Sequence, residues 1–209
     1  ARWMLTPSSG RCKHFSPERA AIRRQQVDAH MTIATVVTAK AKDIGGFHVR
    51  RALPAAQLRA VGPFVFLDQM GPARLPAGQG LDVRPHPHIG LSTMTYLYEG
   101  EILHRDSLGT VQSITPGAIN WMLAGRGIAH SERSPEHVRT KGHRLSGLQF
   151  WVALPQAEEE AAPAFRHIDR ESVPALTEAG IDTRVLAGSL QGVEAPLRAP
   201  HPMVCIDFN

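Results

Sequence analysis

The chain has 209 residues, of which 43% are hydrophobic, so it is long enough to form a sizeable apolar core. It has no apolar run of roughly eighteen residues, which argues against a membrane-spanning helix. Its two cysteines, Cys12 and Cys205, lie at opposite ends and form no CxxC pair, which argues against a disulfide framework or a cysteine zinc site. We therefore expect a cytoplasmic protein.

The net charge of +4 belongs to the first part of the chain. Residues 1–30 carry six basic and two acidic side chains, whereas the other 179 residues carry seventeen of each. A nucleic-acid-binding fold with a basic face needs that excess charge on its globular part. We therefore expect no direct binding to nucleic acid.

Residues 1–30 form the first predicted segment, a basic N-terminal extension. Ser16 and Pro17 could begin a short helix as its N-cap and first helical residue. The segment is rich in arginine and poor in acidic residues, which weakly indicates a transit peptide. The interpretation we favour is a disordered or misannotated extension that precedes a true start at Met31.

Residues 31–155 show a pattern of short strands. Segments rich in β-branched and aromatic residues occur at 64–67, 92–98, 102–106 and 148–152, with Gly and Pro turn residues between them. Residues 70–80 contain three Gly and two Pro and are predicted to form a loop. This spacing predicts a β-sandwich or barrel over residues 31–155.

Residues 156–209 differ in composition from residues 31–155. Residues 156–164 are acidic and rich in alanine, which predicts a linker, and residues 168–180 could hold one short helix. New β-rich segments follow at residues 183–188 and 203–208. We expect residues 156–209 to hold this linker and the start of a second β domain that is truncated in this chain.

Two pairs of metal-ligand residue types stand out: His86 with His88, and His130 with Glu132, each spaced by one residue. Side chains two positions apart on a strand point to the same face. Pro87 restricts His86 to extended conformations, which favours both imidazoles on one side. If the two strands face each other across a small barrel, three imidazoles and a carboxylate meet. That set suits Fe(II), Mn(II), Ni(II) or Cu(II).

The metal interpretation has competitors. A single HxH pair is a weak signal for a metal site, because many histidines are ordinary surface or core residues. The second pair, His130 with Glu132, strengthens the metal interpretation. His104 and Asp106 form a rival pair at the same spacing. They could be ligands, partners for a ligand's second ring nitrogen, or ordinary polar residues.

Around these residues the chain resembles the pirin family, two-domain members of the cupin superfamily. The resemblance is close over residues 61–155 and looser over 31–60 and 165–209, and it does not include residues 1–30. Its most specific stretches are VGPFVFLD at 61–68, HPHIG at 86–90, YLYEG at 96–100 and AGRGIAHSE at 124–132.

The resemblance implies an all-β fold, with a cupin (jelly-roll-like) barrel in residues 31–155 and an incomplete second cupin domain. It implies metal ligation by His86, His88, His130 and Glu132. Iron, as Fe(II), is the expected ion, with Mn, Ni, Cu or Zn as the other options. Family members resemble quercetin 2,3-dioxygenase, and several show that activity. Others act as transcriptional coregulators or bind metabolic enzymes.

The expected function is therefore an Fe(II)-dependent dioxygenase that opens a flavonol-like ring, with Glu132 as both ligand and general base. The alternative is a non-catalytic iron- or redox-sensing protein that binds a transcriptional regulator or a metabolic enzyme. A fragment without function is a third interpretation.

Two further expectations concern the surroundings of the site. Trp121 and Met122 are expected to supply an apolar wall of the site, and an open apolar mouth near them would favour catalysis over sensing. Ser92 stands where many family members carry Glu, four residues after the second histidine. This departure is expected to remove one carboxylate from the site.

Overall fold

The structure is built almost entirely from short β-strands. A computed structural model gives the fold of residues 35–208. The strands in that range are β1 (Lys40–Asp43), β2 (His48–Leu53), β3 (Phe64–Leu75), β4 (Asp82–His88), β5 (Leu91–Glu99), β6 (Ile102–Asp106), β7 (Val111–Ile114), β8 (Ile119–Leu123), β9 (Ile128–Arg133), β10 (His143–Ala153), β11 (Ala164–Ile168), β12 (Ala175–Glu178), β13 (Ile181–Ala187), β14 (Ser189–Leu190), β15 (Val193–Glu194) and β16 (Cys205–Phe208). Within the same residues lie one short helix, α1 (Glu136–Arg139), and two 3-10 turns, Gln156–Glu158 and Arg170–Ser172. No helix of this part of the chain is long and apolar enough to cross a membrane.

Two antiparallel sheets hold the first part of the described chain. The larger sheet has seven strands in the order β1-β2-β3-β10-β5-β8-β11, and the smaller has four in the order β4-β9-β6-β7. Later strands form a three-stranded sheet, β12-β13-β16, and a hairpin, β14-β15. Every neighbouring pair is antiparallel. The prediction of an all-β fold is confirmed.

The two larger sheets pack face to face. One buried cluster contains side chains from both of them: Met70 on β3, Leu97 on β5, Leu145 on β10, Ile102 on β6 and Ile114 on β7. Strands with one face turned to such a core alternate inward and outward residues. The space between the sheets is therefore where inward polar side chains are removed from water.

The outer face of the larger sheet is covered by the later part of the chain. Met94 and Tyr96 on β5 point away from the sheet interior and join a cluster that includes Leu186 on β13 and Met203. The Tyr96 hydroxyl also donates a hydrogen bond to the Asp207 carboxylate on β16, at 3.0 Å. Both faces of β5 are thus covered, which explains its nearly continuous burial.

The segment that the sequence predicts as a linker, residues 156–164, contains a 3-10 turn and ends where strand β11 begins at Ala164. After the turn at Gln156–Glu158, β11 pairs with β8 along its whole length. Of the short helix expected in residues 168–180, only a three-residue 3-10 turn at Arg170–Ser172 is present, and strand β12 follows it. Assignment of residues 156–209 to a second cupin domain stays a prediction, and the expectations for residues 1–30 lie outside the described residues.

The loop predicted at residues 70–80 is shorter than expected, because β3 continues to Leu75. Gly71 makes this continuation possible. It has a φ of +62°, and a Cβ atom there would lie 2.1 Å from the Leu145 carbonyl oxygen. The pairing register shifts at this point, as in a β-bulge, so the strand passes glycine and proline without ending.

Candidate metal centre

The two histidine pairs lie on neighbouring strands of the smaller sheet. His86 and His88 are on β4, and His130 and Glu132 are on β9, with His86 directly opposite His130. The expectation that the two strands face each other across a barrel is therefore wrong. They pair edge to edge, and their inward side chains meet because both pairs occupy the same face of one sheet.

The three imidazoles lie close enough to share one ion. Possible ligand atoms of His86, His88 and His130 all fall within 4.8 Å of one another. The Nε2 atoms of His88 and His130 are 3.0 Å apart. Two ring nitrogens that each bind an ion at about 2.1 Å, at a right angle, are separated by about 3.0 Å. The spacing of the histidines therefore fits a metal centre.

The protonation states of these rings also suit metal binding. Nδ1 of His86 lies 2.8 Å from the Arg84 carbonyl oxygen and donates to it, and in a neutral ring this leaves Nε2 with a lone pair. Burial, together with repulsion from neighbouring His86, lowers the pKa of His88 to about 4. Burial likewise lowers the pKa of His130, with added repulsion from the nearby histidines. Neutral imidazole is the form that binds metals.

Glu132 is a buried carboxyl next to these rings. Its Oε1 accepts a hydrogen bond from the Thr95 hydroxyl on β5 at 3.1 Å. Burial raises the pKa of the Glu132 carboxyl. Within residues 35–208 this carboxylate forms no ion pair. A bound cation would offset the cost of burying its charge, so the donor set fits a divalent metal.

A second group of possible ligands overlaps the first. Atoms of His104, His130 and Glu132 also lie within 4.8 Å of one another. His104 is on β6, directly opposite Glu132 on β9. Its Nε2 is 2.9 Å from Oδ2 of Asp106, and its ring stacks on Phe165 with centroids 4.4 Å apart. The rival pair of the sequence thus lies beside the predicted ligands rather than elsewhere.

The ligand cluster opens into a cavity with a wall from the larger sheet. The cavity has a volume of about 140 Å³, and its lining includes Phe66 on β3 and Trp151 on β10. These two rings stack with centroids 4.1 Å apart and an interplanar angle of 11°. The Trp151 ring meets the His88 ring edge-on, with centroids 5.1 Å apart. Two stacked aromatic rings of the cavity wall therefore lie directly beside the His88 ring.

An ion pair lies at the edge of this aromatic wall. Arg51 on β2 donates through Nε and Nη2 to the two carboxylate oxygens of Asp68, each at 2.8 Å. Its guanidinium lies 4.3 Å from the centre of the Phe66 ring. Both charged residues line the cavity. The pair fixes the Arg51 guanidinium over the Phe66 ring.

The apolar wall predicted at Trp121 and Met122 is wrong. Trp121 points to the outer face of the larger sheet, into the same cluster as Tyr96. Met122 points inward but packs with Ala124 and Ile128, outside the cavity lining. No motif in the sequence pointed to Arg51, Phe66 and Trp151 as residues of the site. The two-residue period of β3 and β10 puts Phe66 and Trp151 on one face of their strands, but it does not say which face points inward.

The expected effect of Ser92 on the site is also wrong. Ser92 lies on β5 at the same parity as Met94 and Tyr96, which point outward. Thr95, of the opposite parity, is the residue that reaches Glu132. The Ser92 hydroxyl is buried without a hydrogen-bond partner. Position 92 therefore faces away from the four predicted ligands.

Fold and site together define a cupin-type β-sandwich with three histidines and one glutamate gathered between its sheets. The sequence profile of the Pirin family matches residues 46–152, and the chain belongs to this family. The predicted family and fold class are confirmed.

This chain spans less than two thirds of the length of the first two similar proteins described below. It is 48% identical over 180 residues to a pirin-like protein of Caulobacter vibrioides, covering 85% of this chain and 62% of that protein. A crystal structure of quercetin 2,3-dioxygenase from Acinetobacter baumannii superposes with a TM-score of 0.77 at 38% identity, covering 82% of this chain and 56% of that one. The bacterial pirin YhhW of Escherichia coli, solved with nickel(II), shares the fold at a TM-score of 0.53 and 19% identity, covering 72% of this chain and 69% of that one.

Proposed function

We propose that His86, His88, His130 and Glu132 bind one divalent metal ion, with Fe(II) first among the options. We further propose that the chain carries the active site of a quercetin 2,3-dioxygenase-type enzyme. The observation that carries this proposal is the opening of the ligand cluster into an aromatic-walled cavity. The structural similarity to a quercetin 2,3-dioxygenase supports it.

The protein side chains have separable tasks in this proposal. The three neutral imidazoles hold the ion, which supplies Lewis-acid and redox chemistry when bound. Glu132 accepts the proton of the acidic hydroxyl of a flavonol-like substrate at one of its carboxylate oxygens. Its raised pKa suits a base that works near neutral pH. The Thr95 hydroxyl holds Oε1, so the other oxygen is free to face substrate or metal.

The cavity restricts which part of a substrate reaches the ligands. Its volume of about 140 Å³ is below the range of about 300 Å³ and more that encloses a drug-sized molecule. We therefore expect only the reacting ring of a flavonol to enter. The remainder lies in the mouth against Phe66 and Trp151, where flat aromatic contact favours a planar substrate.

The test combines metal analysis with oxygen uptake. The chain is expressed with iron in excess, purified, assayed for bound metal and mixed with quercetin in an oxygen electrode. His130→Ala is expected to lose both the metal and oxygen uptake. His48→Ala, an exposed histidine on β2, is the matched control and is expected to retain both. Absence of any bound divalent metal in the unsubstituted protein would refute the proposal.

The second function is a metal-dependent sensor without turnover. The small volume of the cavity and the deep burial of His130 and Glu132 favour it, because both limit access. In that case the iron state alters binding to a regulator or metabolic enzyme. Bound iron with no oxygen uptake on any flavonol would support this function over the enzyme. The cytoplasmic location stays a prediction from cysteine usage.

A further inference from the structure

Asp106 is a buried carboxylate whose two oxygens serve different partners. Its side chain is 0% exposed. Oδ1 accepts hydrogen bonds from the backbone N–H groups of Leu108 and Thr110, at 2.9 and 3.0 Å. Oδ2 lies 2.9 Å from Nε2 of His104. Two backbone donors favour the ionised carboxylate, which can only accept, so Nε2 of His104 is the donor.

This contact determines the hydrogen bonding of the next ring. A neutral imidazole carries one N–H, so His104 with its proton on Nε2 has a bare Nδ1. That atom lies 3.4 Å from Nδ1 of His130. His130 must then carry its proton on Nδ1 and donate it to His104. Its Nε2 is left with a lone pair directed towards Nε2 of His88, where the proposed ion binds.

We propose that Asp106 is a positioning residue that, through His104, holds His130 in the tautomer able to bind the metal. This inference rests on the proposed function for the identity of His130 as a ligand. It also distinguishes the two overlapping ligand groups. His104 uses Nδ1 to accept from His130 and Nε2 to donate to Asp106, so it has no nitrogen left for an ion.

Phe165 fixes the orientation of the His104 ring. Its ring stacks on the His104 ring with an interplanar angle of 27°. Phe165 belongs to β11, which is held in the larger sheet by pairing with β8. The His104 ring therefore packs against Phe165 of the larger sheet and hydrogen-bonds to Asp106 of the smaller sheet. A ring held in this way keeps its two nitrogens pointed at Asp106 and His130.

The substitution Asp106→Asn tests this arrangement sharply. The asparagine carbonyl can still accept from the Leu108 and Thr110 amides, so the turn is retained. Its NH2 group then faces Nε2 of His104 as a donor. His104 must move its proton to Nδ1, and His130 must become the acceptor there. The His130 proton therefore moves to Nε2, the atom that should bind the metal.

Two measurements follow on the full 209-residue chain. The first is the tautomer of each histidine in the metal-free protein at pH 8, from two-bond 1H–15N NMR couplings. We expect the proton on Nδ1 of His130 and Nε2 of His104 in the unsubstituted protein, and the reverse in Asp106→Asn. The second is Co(II) affinity by competition with a chelator. We expect a loss of about 10- to 100-fold in the variant.

Asp43→Asn is the matched control. Oδ1 of Asp43 accepts from the backbone N–H groups of Gly45 and Gly46 in the β1–β2 turn, and no histidine ring among residues 35–208 bonds to it. We expect its Co(II) affinity and its histidine tautomers to be unchanged.

Three outcomes would overturn the inference. They are a proton on Nε2 of His130 in the unsubstituted protein, protons on both nitrogens of His104, and an affinity in Asp106→Asn within about twofold of normal. The tautomers are read without metal or substrate, so failure here is separate from failure of the dioxygenase proposal. Absent turnover with the expected tautomers leaves the positioning role intact.

Discussion

Two buried carboxylates, Glu132 and Asp207, lie on opposite sides of the larger sheet and have contrasting surroundings. Glu132, in the interior, accepts one hydrogen bond from Thr95 and otherwise lies near imidazole rings. Asp207, on the outer side, accepts from the hydroxyls of both Tyr96 and Tyr98, at 3.0 and 3.1 Å. The first lies beside ring nitrogens that we propose lack protons, and the second faces hydroxyl donors. Burial of an acid among acceptors indicates a cation site, whereas burial among donors indicates a structural role.

The largest expected effect comes from replacing the interior carboxylate. Glu132→Gln keeps the shape of the side chain but removes its charge. Co(II) affinity should therefore fall by more than about 100-fold, which is more than the loss expected for a residue that only contacts a ligand. Without metal, the variant should unfold in urea at a concentration equal to or above that of the unsubstituted protein, because no charge is buried. A marked loss of metal-free stability would show that Glu132 is structural, like Asp207.

The converse variant acts on the outer carboxylate. Asp207→Asn weakens two charge-assisted hydrogen bonds, so the free energy of unfolding should fall by about 2 kcal/mol. Co(II) affinity should stay within about threefold of normal, because the sheet lies between the two acids. Tyr98→Phe removes one of the two donors and should cost about half as much. Urea titration and chelator competition on the same samples give both values. A large loss of affinity in Asp207→Asn would break the comparison.

The pH dependence of stability gives the third prediction, for the metal-free protein. The pKa of His88 falls from 6.5 to about 4 on folding, so between these values the unfolded chain binds more protons than the folded one. Stability therefore decreases as pH falls from 6.5 through about 4.

The interior acid acts in the other direction. The pKa of Glu132 is raised on folding, so its contribution is present below the unfolded-state value and is lost as pH rises through the folded-state value. Thermal melts across pH 4 to 8 measure both trends. His88→Gln should reduce the acidic decrease, to which His130 also contributes, and Glu132→Gln should remove the loss with rising pH. An unchanged profile in His88→Gln would contradict the assignment.

The smallest expected effect is on the aromatic wall. Trp151→Leu removes the ring between Phe66 and His88, so KM for quercetin should rise by up to about tenfold with metal affinity unchanged. Phe208→Leu, at an exposed aromatic on β16, is the matched control and should leave KM unchanged. Equal kinetics in both variants would show that the stacked rings do not contact the substrate.

The sequence predicted more of the smaller sheet than of its surroundings. The spacing of His86 with His88 and of His130 with Glu132 depends only on the two-residue period of a strand, which is local. Trp121 was misplaced because the same period leaves open which parity is inward. Ser92 was misplaced for the same reason. That choice is made by the packing of distant segments, such as the coverage of β5 by residues near Leu186 and Met203.

By itself, the sequence determined the all-β class, the pirin family and the four residues proposed as ligands. These depend on composition, local periodicity and motifs that lie within a few residues of one another. The tertiary structure alone decided that β4 and β9 are neighbours in one sheet, that Phe66, Trp151 and Arg51 line the cavity, and that Asp106 reaches His130 through His104. These relations join residues far apart in sequence. Strand pairing and sheet packing fix them, and no local sequence pattern encodes that pairing or packing.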